Sequence, residues 1–535
     1  MSRTILALGF VAVACYALAQ TPVPQTAKPD KAKEAEKIDI TALVKELNSG
    51  KYASPSTQFR PGHVTPRKLD AKAIKLEEKG FTITLPSGAP IPTPTVYKGK
   101  LYISGGFHSK EYYCCDAQTG RLIWGVDLDD DGPTSAVCED DVVIFNTESC
   151  TIFALDANTG KHLWSYFLGD PLTSTPTICK GRVYTSYPAA GRGGQVPVPQ
   201  NNAPQKAKSA NPPAGQPQAN PAQSGEGKQQ PPNASHVLAC FELKTGKILW
   251  QRWIDSDVMS APVAVDDEVF ATSFAGTVYK FQQADGAILS AQRSDATSAP
   301  VIVGNNVYLT QRADGVIGGK VAERVTGLGR DTAKPNFQTP AKEAKYLDAN
   351  VQNKSALKAA GGALDAANGF AGGAPAAAMP QAALSNVGQG NVSTMQAFQG
   401  SRLLHFAEAN FNCMGDEIVC TDPKDGKTRW SVKLKGDLEK QGGHLAAPPA
   451  AAGGSIFLST LEGNVVQMEP EKGKVQTTWK VGAPIRSQPA IEGGRIYVGT
   501  QNGKVICLNT GDARLTGWTT WGANAAHTNV AAPTK

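Results

Sequence analysis

Long apolar runs are what this 535-residue chain most conspicuously lacks. Beyond the N-terminus no stretch approaches the roughly 18 apolar residues of a membrane-spanning helix, so no transmembrane segment is expected. Histidine is scarce, and His63, His108, His162, His236, His405, His444 and His527 show no paired ligand spacing, so no metal site is expected. A P-loop and a G-x-S-x-G elbow are both missing, which removes phosphate cradling and α/β-hydrolase chemistry. The net charge of +6 is spread along the chain without a basic stripe, and a nucleic-acid partner is set aside. Cysteines number ten, and nine once Cys15 is assigned to a leader; an odd number excludes a complete disulfide framework.

The leader is the first thing present. "MSRTILALGFVAVACYALAQ" has an early Arg3, a short apolar run and Ala17-Leu18-Ala19, which reads as a signal peptide cut after Ala19. An exported protein of the periplasm or cell envelope is therefore expected, and a lipid anchor on Cys15 is the rival reading of the same residues. Residues 20–79 read as an N-terminal tether. Within it Ile40, Leu43, Val44 and Leu47 recur at helical spacing, with Asp39 as N-cap and Gly50 as the stop, predicting a short amphipathic helix that docks on the rest.

The main signal is a repeat. "YYCCDAQTGRLIW" (112–124), "FALDANTGKHLW" (153–164), "ACFELKTGKILW" (239–250) and "VCTDPKDGKTRW" (419–430) each set a turn glycine four residues before tryptophan. The pairs are Gly120 and Trp124, Gly160 and Trp164, Gly246 and Trp250, and Gly426 and Trp430; weaker copies place glycines at 286, 473 and 511. Several gaps lie near the roughly 40 residues of a four-stranded propeller blade. Short β-branched runs between Gly, Asp and Asn turns make the strands antiparallel. The expected fold is all-β, an eight-bladed propeller over residues 80–528 with a tail at 529–535. Seven blades is the alternative, because the fifth unit lacks a Thr-Gly turn and tryptophan. Two tracts poor in core-forming residues, about 188–233 and 331–392, read as disordered insertions. Phe81 to Leu85 echoes a passage near 481–491 and is expected to close the ring as an outer strand of the last blade.

In the common register Cys114, Cys240, Cys420 and Cys507 coincide with Ala154, and Cys115 with Leu155. They fill a repeated small core position, where cysteine behaves as a hydrophobe. A strained vicinal disulfide at Cys114-Cys115 is the other reading.

The unit S-x-P…V-Y…L-D-A-x-T-G-K-x-L-W resembles the repeat of bacterial pyrroloquinoline quinone (PQQ)-type β-propellers, across roughly residues 80–528. The resemblance implies one of two roles: a calcium- and PQQ-dependent alcohol dehydrogenase, or a non-catalytic envelope propeller like the BamB-like scaffold of outer-membrane protein assembly. In such dehydrogenases the adjacent cysteines lie near a blade's first strand, whereas Cys114-Cys115 falls in a third strand. No calcium-binding set maps onto this chain, since Asp116 and Asp156 cap their own hairpins. The reading is a monomeric scaffold without catalysis or cofactor, partnered by envelope proteins, with a carbohydrate- or peptide-binding propeller as a third class. Thr134, Ser174, Ser260, Ser298 and Ser487 stand two residues before the first-strand proline or its equivalent, and are the candidate binding residues of the channel mouth. Their other reading is as caps of the strands they precede. Trp518 and Trp521 of "GWTTWGANAAHTN" are expected to close the ring.

Overall fold

The computed structural model describes residues 44–45, 47–49, 61–147, 151–168, 174–188, 234–313, 322–343, 402–437 and 444–531. The segment read as a signal peptide, Cys15, the tether to residue 43 and the bulk of both long tracts lie outside the described residues. Within them the strands form eight antiparallel sheets, six of them laid down in chain order and two joined by strands from the N-terminal arm. Blades 1 to 7 span 95–128, 137–167, 177–254, 263–293, 301–338, 403–433 and 450–480. Blade 8 takes three strands from 490–509 and its fourth, Gly80–Thr84, from the start of the chain, with Phe81 opposite Cys507. The seven-bladed alternative is excluded, and the closing strand lies where the sequence echo put it.

Each strand serves two interfaces, because successive side chains point to opposite faces of a sheet. In Glu111–Asp116, Tyr112 and Cys114 join the apolar cluster shared with blade 2, while Tyr113 and Cys115 join the one shared with blade 8. The core is therefore a series of slabs between blades. Cys114 and Cys115 are buried in different slabs, and all eight described cysteines are free thiols. Burial pushes the Cys114 thiol up to about 12 and the Cys115 thiol higher still, so both stay protonated.

One contact recurs around the ring. The outer-strand aromatic of a blade lies flat on the turn glycine of the next: Phe81 on Gly120, Trp124 on Gly160, Trp164 on Gly246, Trp250 on Gly286, Phe337 on Gly426 and Trp430 on Gly473. A Cβ on Gly160, whose φ is +70, would stand 2.7 Å from the Trp124 indole, so the position needs glycine for both conformation and space. Each indole also donates its N–H to a carbonyl of the next blade, as Trp164 does to Leu243 at 2.8 Å. Where phenylalanine replaces tryptophan, a second-strand tyrosine donates instead: Tyr497 to Ala117 O at 2.8 Å and Tyr308 to Pro423 O at 3.1 Å.

Three boundaries differ from the sequence reading. Blade 5 does have a turn and fourth strand, Pro335–Gln338, inside the tract read as insertion from 331. Ala333 takes the glycine's place at φ 53, and Phe337 takes the tryptophan's. The N-terminal arm is more than a tether from residue 61 onward: Val64–Pro66 adds a fifth strand to blade 1 and Ile74–Glu77 one to blade 8. Arg67 anchors it, donating to Tyr113 Oη at 2.7 Å, Glu111 at 2.7 Å and Asp127 at 2.5 Å. Upstream, Val44 and Leu47 pack on the slab between blades 3 and 4, and Asn48 bonds both the N–H and the C=O of Ile288. At the other terminus Asn529 O accepts from His405 N, and Val530 bridges the same residue, so the ordered chain runs past 528.

Candidate functional site

In an antiparallel blade the first–second and third–fourth connections share one end of the ring, and the remaining connections share the other. The end with the glycine turns is closed. Residues 516–531 enter the bore there and bond along the inner strands: Trp518 pairs with Ile491, Thr519 O accepts from Val96 N, Ala525 O from Ile178 N and Ala526 O from Ala264 N. Trp518 and Trp521 are fully buried in this plug.

The opposite end is the candidate site. Tracts 189–233 and 344–401 both connect strands at this end, the first within blade 3 and the second between blades 5 and 6. The five hydroxyls singled out by sequence stand here but are buried, at most 7% exposed. Thr134 Oγ1 accepts from Asn146 N at 3.2 Å and Ser298 Oγ from Thr310 N at 3.2 Å, so these two brace a first strand against its second. Ser174 Oγ meets Ser186 Oγ at 3.0 Å, and Ser260, at φ 68, offers its carbonyl to Thr175 N. Ser487 Oγ has no partner among the described residues. The structure does not bring the five together as a polar surface. The glycine–tryptophan pairs lie between blades and serve the ring itself.

Sequence reasoning missed the charged residues at this end. On blades 1 to 4, Asp130 accepts from Thr147 at 2.7 Å and from Thr151, Asp257 from Ser186 at 2.5 Å, and Asp255 from Thr277 at 2.6 Å. Around blades 5 to 8 a buried ion pair and a neutral histidine stand in their place. Arg402, 3% exposed, pairs with the buried Glu323 at 2.6 Å. His444 accepts from Gly415 N, and its pKa is held well below the ordinary value by burial and by the charges of Arg402 and Arg486. The mouth thus carries hydroxyl-bonded carboxylates beside blades 1 to 4 and a buried arginine–glutamate pair beside a neutral His444 around blades 5 to 8. No repeat marks these residues, and their position just before a first strand or just after a second is the signal that could have found them.

The arrangement suits binding through charge and hydrogen bonds. Among the described residues no three His, Cys, Asp or Glu side chains are grouped to hold a metal ion. A quinone cofactor held by calcium and backed by a cysteine pair does not fit these residues, because Cys114 and Cys115 are sealed in two slabs away from the mouth.

A family profile described as outer membrane protein assembly factor BamB matches residues 90–196, 211–405 and 415–533. No curated protein matches the chain. Similar solved structures include BamB from Moraxella catarrhalis (13% identity, 81% of this chain and 100% of that one, TM-score 0.47). The computationally designed Ika8 protein aligns at 12% identity over 80% and 98%, TM-score 0.49. A quinohemoprotein alcohol dehydrogenase from Comamonas testosteroni aligns at 12% over 88% and 80%, TM-score 0.47.

Proposed function

The chain belongs to the BamB family of PQQ-repeat propellers, and from that premise we propose that it is a non-catalytic, protein-binding scaffold of the bacterial cell envelope, exported by its leader. The observation that carries this reading is the division between the ends of the ring. One end is filled by the C-terminal segment, and the other gathers the connections that both long tracts make and a rim of charged and polar side chains. Partners bind at the second end, and its charged and hydrogen-bonding side chains orient them.

The test places a photo-crosslinking residue at Gly482, exposed and leading into the first strand of blade 8, and another at Lys161 in a glycine turn. Specific protein adducts in envelope fractions are expected from position 482 and not from 161. Adducts from 161 alone would overturn the assignment of the binding end. Saturable PQQ binding with calcium-dependent alcohol oxidation would overturn the scaffold reading itself.

A further inference from the structure

We propose that His527 is an acid-operated latch: proton uptake by its ring releases the C-terminal segment from the bore and opens the turn end of the propeller. The segment 516–531 contains no Asp, Glu, Lys or Arg, so His527 is its single ionisable side chain. That residue is also its knot. The ring is fully buried, its backbone is held at φ 53, and it stacks on Trp521 with centroids 3.6 Å apart and planes 11° from parallel. Nδ1 lies 3.1 Å from Trp521 O and Nε2 lies 3.0 Å from Pro176 O, the latter on blade 3. The segment is thereby tied both to itself and to the ring wall.

Both contacts are carbonyls, which only accept hydrogen bonds. A neutral imidazole has one N–H and can satisfy one of them; an imidazolium satisfies both. Against this stands the cost of a charge with no carboxylate beside it. The ionisable groups on the inner strands and turns packed around the segment are Tyr97 and Lys98 on blade 1, Cys138 and Glu139 on blade 2, Cys179 and Lys180 on blade 3, and Asp266 on blade 4. His405 and Glu408 on blade 6, with Glu492 on blade 8, complete the set. None of them acts on the His527 ring: its environment is burial, which lowers its pKa, and the two carbonyls, which raise it. Burial wins, and the seated ring titrates at about 4, below the ordinary histidine value of 6.5.

The sign follows from linkage. The released segment binds a proton more readily than the seated one, so the seated state is favoured above pH 6.5. It loses about tenfold per pH unit as the pH falls from there toward 4. The stacked indole and five blades' worth of backbone bonds give the closed state its hold at neutral pH, and the protonated ring works against them.

Hydrogen exchange of the full-length protein, corrected for intrinsic rates, tests this between pH 7.5 and 4.5. The opening constant of peptides covering 516–531 is expected to rise about fortyfold from pH 6.5 to 4.5, while fourth-strand peptides of blades 2 and 3 hold steady. His527→Gln is expected to flatten that profile. A flat wild-type profile, or an equal rise in every blade, would overturn the latch. NMR titration of His527 in the wild-type protein decides the matter even where the variant fails to fold: a seated pKa above 6.5 would mean that acid tightens the plug, the reverse of the proposal.

Discussion

The junction between blades 3 and 4 and the one between blades 4 and 5 solve the same problem with different chemistry. At the first, Trp250 lies on Gly286, where a Cβ would come within 2.5 Å of the indole, and donates to Gln283 O at 3.0 Å. At the second, Ser290 stands in the tryptophan register, Ala333 in the glycine register, and Lys280 in the register that Cys240 fills one blade earlier. Ions replace the ring: Lys280 pairs with Glu268 and Asp331, both at 3.2 Å, and Arg330 with Glu268 and Asp266, both at 2.8 Å. Lys280, Arg330 and Glu268 are each less than one-fifth exposed, so the network is only partly screened by solvent. The difference teaches that the ring requires every junction to be filled but does not dictate by what. Losing the tryptophan of blade 4 relaxes the demand for glycine on blade 5.

The largest way to break the comparison is at the aromatic junction. Gly286→Val forces a branched side chain into the indole at positive φ, and a loss of about 3–4 kcal/mol is expected in denaturant unfolding. Glu268→Ala strips two cations of their shared carboxylate, and a loss of about 2–3 kcal/mol is expected. The salt dependence of unfolding should drop with it, whereas Gly286→Val should leave that dependence as it was. Trp250→Phe keeps a ring but loses the N–H to Gln283, and about 1 kcal/mol is expected, measured by the shift in denaturation midpoint. Ala333→Gly is the smallest and has the opposite sign. With no indole against it and φ at 53, glycine should raise stability by about 0.5–1 kcal/mol; a destabilised Ala333→Gly would show that the alanine methyl packs at the ionic junction.

These pairs also mark how far the sequence could be read. Four of the eight junctions were legible as a tryptophan and the turn glycine of the next unit, and with that repeat came the register and the blade count, while the closing strand at Phe81 came from its echo of 481–491. The fourth strand of blade 5 was hidden although Thr332-Ala333 and Phe337 keep the spacing of Thr119-Gly120 and Trp124, because both diagnostic residues had changed together. The ionic junction could not be read at all: Glu268, Lys280 and Arg330 look like ordinary surface charges until the sheets bring them side by side. Val64–Pro66 and Ile74–Glu77 are too short, and too rich in charge and proline, to announce themselves as strands. The candidate site fared worst, for a related reason. Repetition reports what every blade needs, so the repeated Thr134, Ser174, Ser260, Ser298 and Ser487 led into buried first-strand positions. Glu323, Arg402, His444 and Arg486 occur once each, and a single copy gives periodicity nothing to detect.

The strand that completes blade 8 carries a consequence for how the molecule comes into being. Phe81 reaches the compartment where the chain folds before Cys507, its partner across the sheet. Blades 1 to 7 can assemble in order of emergence, since each needs only its own strands and a neighbour. Phe81 and Ile83 must wait with their apolar side uncovered, and so must the face of blade 1 that they will cover. Loop closure over such a separation is slow, and an open strand edge invites pairing with another chain. Newly made copies therefore pass through a period when every blade but the last is finished and the molecule is at its most prone to stick to its siblings.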